Sequence, residues 1–504
     1  NYTFKANHWT QLKRFMIIGA DNGTYYASKE SHAKSNFENI KKCVKEDGRK
    51  AVNETIAISD AGRAPKNDYA IRVLAIAIAH GDEPTRKYAA DNISKVCRTG
   101  THLFQFAEYA QAERGWGKLL RKAIRNWYEE LPDEKLAYQL CKYQNRDGWS
   151  HKDLFRLAHP KLGTSGTKYD IGHWLMKGWD SVGIDPHPVK GLDYIWAAEK
   201  AKKAKTSREI IQLIKKHGLV RECIPTQWLN DKDVLLALLD DMPLTALIRN
   251  LASMTKNGVL APMSEAANQV CAKLKSQVWI TKSRVHPINV LIALNTYKTG
   301  RSLKGESTWS PNPKICSALE DAFYLAFGNV VPTNKRIMQC LDISGSMSWT
   351  PIPGLNLTAR DISAAMSLIT MKTEQNCYAY GFADYLANLG INDKDNLYSA
   401  IEKVSNKAFG STNCSLPMEH ALKHKMPVDG FIVYTDNDCN TGRQSPAKAL
   451  KQYREATGIN AKLIVCAMTA TNVSIADPND PGMLDIVGFD SATPAVISEF
   501  LREG

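Results

Sequence analysis

Two hydrophobic periods divide the chain. From Asp68 to about 330 apolar positions recur at helical spacing, and from Lys335 onward they gather into short continuous runs. In the first part Tyr69, Val73, Leu74, Ile76 and Ala77 make a helical stripe that stops at His80-Gly81. Asp82-Glu83-Pro84 starts the next, with Tyr88, Ala89, Ile93 and Val96 facing inward. Further stripes predict helices over 101–113, 117–129, 133–143, 151–159, 168–178, 191–204, 207–217, 231–239, 243–255, 264–274, 287–297 and 314–327. No strict sequence repeat accompanies them. Many short helices in one run predict a HEAT-like α-helical solenoid, because a bundle would need fewer and longer ones. An irregular all-α domain is the alternative.

In the second part Ile337–Leu341, Cys377–Phe382, Phe431–Thr435, Leu463–Met468 and Met483–Phe489 read as strands. Thr358–Met371, Leu397–Val404, Ser445–Glu455 and 493–502 read as helices between and after them. Apolar strands alternating with helices predict a doubly wound, parallel sheet covered on both faces, with its ligand site at the carboxyl ends of the strands. The expected fold is therefore multidomain, α plus α/β, with a helical domain over 1–330 and a Rossmann-like domain over 331–504.

Charge follows the same division. Residues 331–504 hold 15 Lys and Arg against 18 Asp and Glu, a net of −3, which leaves +16 to residues 1–330. A basic domain of that size favours a polyanion, with nucleic acid ahead of a membrane surface or an acidic protein. Eleven scattered cysteines, with no CxxC among them, read as buried reduced thiols rather than a disulfide framework or zinc site. No apolar run reaches membrane-spanning length and no signal-peptide pattern opens the chain, so a cytoplasmic and nuclear protein without a membrane partner, acting as a monomer, is expected.

The basic residues have local patterns. Over 117–129, Lys118, Arg121, Lys122 and Arg125 share one helical face opposite Leu119, Leu120, Ala123, Ile124 and Trp127. An all-positive face without acidic pairing is uncommon, because like charges at i,i+4 repel, and this one is a candidate for phosphate contact. A second cluster lies between two helices that turn at Asp147-Gly148. It holds Lys142 and Arg146, with Arg156 and His159 on the following helix and Tyr143 and Trp149 interleaved. Cations reach phosphate and aromatic planes stack on unpaired bases. Trp149 itself is expected in the core, and Lys142, Arg146 and His159 are read as an RNA-contacting group. The run Lys200, Lys202, Lys203, Lys205 and Arg208 has no aromatic partners and reads as solvated surface.

The α/β part carries a different chemistry. Asp342-x-Ser344-x-Ser346 follows the first strand, Asp436 follows Phe431–Thr435, and between them Phe409-Gly410-Ser411-Thr412-Asn413 forms a loop before a short helix. Asp342, Ser344, Ser346, Thr412 and Asp436 would gather two carboxylates and up to three hydroxyls, all hard oxygen donors. Such a set suits one divalent cation, Mg²⁺ first, with Mn²⁺ or Ca²⁺ possible alternatives. This resembles the metal-ion-dependent adhesion site of von Willebrand factor A domains. The sequence departs from that pattern at Ser411, where a second glycine is usual, and at Asn437, where Gly commonly follows the aspartate. The resemblance implies a metal with an open position for a partner's carboxylate, and hence a docking device.

A basic helical array followed by such a domain resembles the Ro ribonucleoprotein autoantigen family, whose helical part is the module shared by telomerase, Ro and vault proteins. The motifs that carry it are Gly148-Trp149-Ser150-His151-Lys152-Asp153-Leu154, Met242-Pro243-Leu244-Thr245-Ala246-Leu247 and His286-Pro287. The resemblance implies a ring of HEAT-like helices closed by the A domain. It implies Y RNA on the outer surface, at positions that include Lys142, Arg146 and His159, and misfolded noncoding RNA entering the central hole by its single-stranded 3′ end. The function so implied is non-enzymatic RNA quality control. The competing reading is a metal-dependent RNA phosphodiesterase using Asp342 and Asp436, against which stand the acidic setting of the site and the single metal it suggests.

Overall fold

In the computed structural model, the described residues are 8–18, 29–63, 66–146, 148–185, 187–302, 305–349, 351–352, 355–406, 412–436, 444–468, 475–477, 480–489 and 491–502. Helices fill the first two thirds. Those read from periodicity are present within one or two residues of their expected ends, for example Gly100–Arg114, Lys118–Glu130 and Leu192–Lys203. Capping explains the sharp starts: Asp82, Thr99, Thr206, Asp231 and Ser264 each accept from a backbone N–H two or three residues on. Among the described residues of this part, three further α-helices lie outside the expected set: His8–Ile18, the long Lys29–Asp60, and Gln277–Ser283. Lys29–Asp60 leaves helical geometry at Asp47 (φ −150°, ψ 86°), whose carboxylate accepts from Lys50 N at 2.9 Å and so restarts the helix.

Helices pack mainly on near neighbours in sequence, Lys29–Asp60 on Asp68–His80, Asp68–His80 on Gly100–Arg114, and Pro287–Lys298 on Pro313–Leu325. This is the contact pattern of a solenoid.

The last third holds β1 (Ile337–Asp342), β2 (Cys377–Phe382), β3 (Leu386–Asn388), β4 (Gly430–Thr435), β5 (Lys462–Ala467) and β6 (Met483–Val487) in the order β3-β2-β1-β4-β5-β6. Five strands are parallel and β3 pairs antiparallel to β2. The sheet is therefore mixed rather than purely parallel. The three-residue β3 follows β2 by a short turn and is too short to carry a hydrophobic pattern. β1, at the centre, is buried at every position, as its unbroken apolar run requires. At the start of β4, Gly430 meets the last helix, where a Cβ would stand 2.4 Å from Leu501 Cδ2.

The two parts share a core. Ile337, Leu341, Tyr434, Ile464 and Phe500, on one face of the sheet, belong to the same buried cluster as the helical array, whereas Met338, Cys340, Phe431, Val433 and Tyr453 form a separate cluster on the other face. The α/β domain meets both ends of the array. At the amino-terminal end Arg14 lies over Phe500 at 4.9 Å, and Arg63 Nε donates to the buried Glu499 at 2.8 Å. At the other end Leu397 N donates to Tyr324 OH at 3.0 Å, Asn356 Nδ2 to Thr299 Oγ1 at 3.3 Å, and Pro287–Lys298 packs on Ala359–Thr373. A solenoid whose two ends are bridged in this way is a closed ring.

Candidate nucleic-acid interface and metal site

The basic surface is built from a helix end, a two-residue ladder and a helix start. Asp133–Lys142 ends at Lys142, whose Nζ donates to Tyr138 OH at 3.0 Å and lies over the Tyr138 and Tyr143 rings. Burial works against that charge, but the Tyr138 bond and the neighbouring Tyr143, Tyr138 and Glu222 outweigh it, holding the ammonium above its ordinary pKa. The chain then pairs Asn145 with Ser150 and Arg146 with Trp149, which exposes Arg146. The turn residue Asp147 lies outside the described residues. Ser150 and Asp153 form a capping box that starts His151–Ala158, and exposed His159 ends it in the left-handed region (φ 49°, ψ 62°).

Beneath this surface His151 is 1% exposed, with Nδ1 2.8 Å from Tyr128 OH and its ring stacked on Trp127. Burial pushes His151 down to about 3, so it is neutral and serves as core. Trp149 is half-buried, donating to Glu108 at 2.7 Å and packing against Trp116.

The helix Lys118–Glu130 is less uniform than its sequence suggests. Arg125 donates through Nε and Nη2 to Ala158 O at 3.3 and 3.2 Å, satisfying the carbonyl at the end of the helix His151–Ala158. Lys122 pairs with Asp91 at 3.1 Å, an acidic partner from another helix that spacing along one helix cannot reveal. Lys118 and Arg121 remain exposed.

The second site lies at the carboxyl ends of β1 and β4. Register sets it: Leu341 pairs with Tyr434, so the next residues, Asp342 and Thr435, are neighbours, and Thr435 Oγ1 donates to Asp342 Oδ2 at 2.8 Å. Ser344 N donates to Asp342 Oδ1 at 2.8 Å, and the Ser344 and Ser346 hydroxyls lie 3.0 Å apart. Asn413 N donates to Ala383 O at 2.9 Å, which sets Thr412 beside the end of β2. Ser415 fixes that loop, donating to Glu419 and Asn413 at 2.8 Å each. Phe409, Gly410, Ser411 and Asn437 lie outside the described residues.

Asp342, Ser344, Thr412 and Asp436 are all buried. Burial pushes the Asp342 carboxyl up, and the charge of Asp436 adds to the shift. Sequence reasoning missed Thr435, visible only through register, and Arg360. The Arg360 guanidinium is buried and donates to Ser344 O at 3.1 Å, so it holds the Ser loop. An arginine inside the stripe Ile362, Ala365, Met366 was the available signal. The residues present fit a divalent cation: the donors are all oxygen, the charge of Asp436 works against the buried Asp342 carboxylate, and the Ser344 and Ser346 hydroxyls lie beside each other.

A helical ring closed by a domain with an Asp-x-Ser-x-Ser recess defines a class of protein, a solenoid joined to a von Willebrand factor A domain. Residues 1–298 match the TROVE domain family and residues 336–501 the Ro60 vWA domain family. The chain belongs to the Ro60 family. It is 38% identical to the RNA-binding protein RO60 of Caenorhabditis elegans, across 99% of this chain and 89% of that protein. The RNA-binding protein RO60 of Deinococcus radiodurans is also 38% identical, across 99% of this chain and 94% of its own length. The crystal structure of the Deinococcus radiodurans RO (RSR) protein superposes with a TM-score of 0.87 over 98% of this chain and 99% of that one.

Proposed function

We propose that the chain is an RNA-binding protein that holds structured RNA on its helical ring and docks a protein partner at a divalent cation in its α/β domain. RNA binding is the activity for which its curated relatives are named. The observation that carries the assignment of a surface is the exposure of Arg146 and His159 on an ordered ladder and helix end, beside Lys142 held on two tyrosines. The proposed partners are Y RNA on the outer surface and misfolded noncoding RNA entering by a single-stranded 3′ end, in the cytoplasm and nucleus.

The metal recess is read as a docking point rather than a catalytic one. Among the described residues no cluster of three or more His, Cys, Asp or Glu side chains offers a metal site, so Asp342 and Asp436 can hold one ion where two-metal hydrolysis uses more acidic ligands. Asp342, Ser344, Ser346, Thr412 and Asp436 would hold Mg²⁺, Mn²⁺ or Ca²⁺, which when bound supplies an acceptor for a partner's carboxylate. Trp349, 82% exposed just beyond Ser346, gives that partner an apolar neighbour.

RNA crosslinking with sequencing of the bound species tests class and partner together. Replacing Lys142 and Arg146 with Ala is expected to weaken binding by about tenfold or more near physiological salt and to reduce the salt slope by one to two. An unchanged affinity and slope would overturn the assignment of this surface.

A further inference from the structure

The helices Asp68–His80, Glu83–Asp91, Gly100–Arg114 and Lys118–Glu130 leave between them a half-open pocket of about 430 Å³. Its buried apolar lining includes Ile78, Ala110 and Leu120. Arg86, Lys87, Arg114, Lys118 and Lys122 also line it, against a single carboxylate, Glu83. Among the described residues no neutral hydrogen-bonding side chain lines it.

Protein contacts account for few of these cations. Lys122 pairs with Asp91, and Arg114 donates to a neutral carbonyl, Ala79 O, at 2.8 Å. Arg86 Nε is buried with no hydrogen-bond partner. Lys87 and Lys118 make no ion pair among the described residues. The helix Lys118–Glu130 opens at this pocket on Gly117, which has no side chain to cap its first N–H groups.

The pocket adjoins the surface already described. Trp116, between Gly115 and Gly117 of the lining, packs on Trp149 of the ladder at 5.6 Å. Two turns further along the same helix, Arg125 bonds the carbonyl next to His159. Seven helical steps lead from Lys118 to Arg125, about 10 Å along the axis, or about three stacked base steps at ~3.4 Å per nucleotide.

We propose that this pocket takes one unpaired nucleotide of an RNA held on the Lys142–His159 surface, its base against the apolar lining and its phosphate among Arg86, Lys87 and Lys118. The inference rests on the RNA-binding reading above. The apolar lining goes beyond what a bare anion needs, and the lack of neutral donors and acceptors makes the site tolerant of base identity. An RNA strand running along the helix Lys118–Glu130 joins the two places without a new path.

The test uses the full chain and two RNAs with the same duplex, one blunt and one with a three-nucleotide unpaired extension. The double variant Arg86→Gln, Lys87→Gln is expected to keep the wild-type melting temperature, because Arg86 meets the exposed Asp82 only through charge and Lys87 makes no ion pair among the described residues. Wild-type protein should bind the extended RNA at least about fivefold tighter than the blunt one. The variant should lose that difference and one to two of the salt slope, with binding to the blunt RNA unchanged. A 4-thiouridine in the extension should crosslink to residues 83–91 or 115–122. Equal binding of both RNAs by wild type, a variant indistinguishable from wild type, or crosslinks elsewhere would overturn the pocket. Lys142→Ala, Arg146→Ala is measured beside it. If that variant weakens both RNAs while the pocket variant changes neither, only the pocket inference fails; if it weakens neither, the surface reading fails and takes the pocket with it.

Discussion

Buried polar groups are used differently in the two parts of the ring. In the helical part they meet each other: His151 with Tyr128, Gln139 Oε1 with Gly100 N, and Lys273 Nζ with the carbonyls of Leu239 and Asp240. Its cations meanwhile stand outside, as Arg146 and Lys118 do. In the α/β part Asp342, Ser344, Thr412 and Asp436 are buried around the carboxyl ends of β1, β2 and β4, and burial pushes Asp342 up. A charged surface binds through many weak, screened contacts, whereas a buried oxygen cluster binds through one strong, specific one. Under the proposed function one partner is held by area and another by a point.

The sharpest way to break that comparison is to remove charge at the point. Asp342→Asn keeps the shape and an acceptor for Ser344 N, and is expected to abolish divalent-ion binding. In the wild type, Mg²⁺ at a hundred times its dissociation constant should raise stability by about 2.7 kcal/mol; in the variant, calorimetry with and without Mg²⁺ should show no rise. RNA affinity should stay within about twofold of wild type. A folded variant that no longer binds RNA would mean the two sites are not separate.

Much of this contrast was legible in the amino-acid pattern. Long stripes such as Tyr69 to Ala77 and runs such as Ile337–Leu341 fix element type because burial on one face or on two leaves different periods. The excess of charge before residue 331 and the Asp342-x-Ser344-x-Ser346 spacing pointed to the two proposed surfaces. What stayed hidden depends on residues far apart in sequence. Thr435 meets Asp342 only through strand register, Lys122 meets Asp91 across helices, and Arg63 meets Glu499 across the closure of the ring. The helices His8–Ile18 and Lys29–Asp60 precede the first stripe taken as helical, and the latter is interrupted by the break at Asp47.

Acid should separate the two parts next. His151 is held at about 3 by burial against an ordinary value near 6.5. The unfolded chain therefore takes up a proton that the folded one refuses, so stability is full above pH ~6.5 and falls as pH drops toward 3. At pH 5 the loss is about 2 kcal/mol from this residue. His286, pushed down to about 4 by burial, acts in the same direction. Ten of the eleven tryptophans precede residue 331, so urea unfolding followed by tryptophan fluorescence reports the helical part. A helical transition as stable at pH 5 as at pH 7 would show that His151 is not buried neutral.

The smallest expected effect draws a line inside the basic face itself. Lys118, Arg121, Lys122 and Arg125 look equivalent along their helix, yet Arg125 gives two N–H groups to Ala158 O. That carbonyl belongs to the last turn before His159, so Arg125 steadies the helix end that presents the histidine. Arg125→Gln should cost about 1 kcal/mol of stability, as loss of a charge-assisted contact to a helix carbonyl does at a half-exposed position. It should leave the salt slope of RNA binding unchanged, because the guanidinium is committed to protein rather than phosphate. Lys118→Gln should do the reverse, lowering the slope by about one without changing the melting temperature. A slope lowered equally by both variants would return Arg125 to the RNA-facing group and make the whole helical face one phosphate rail.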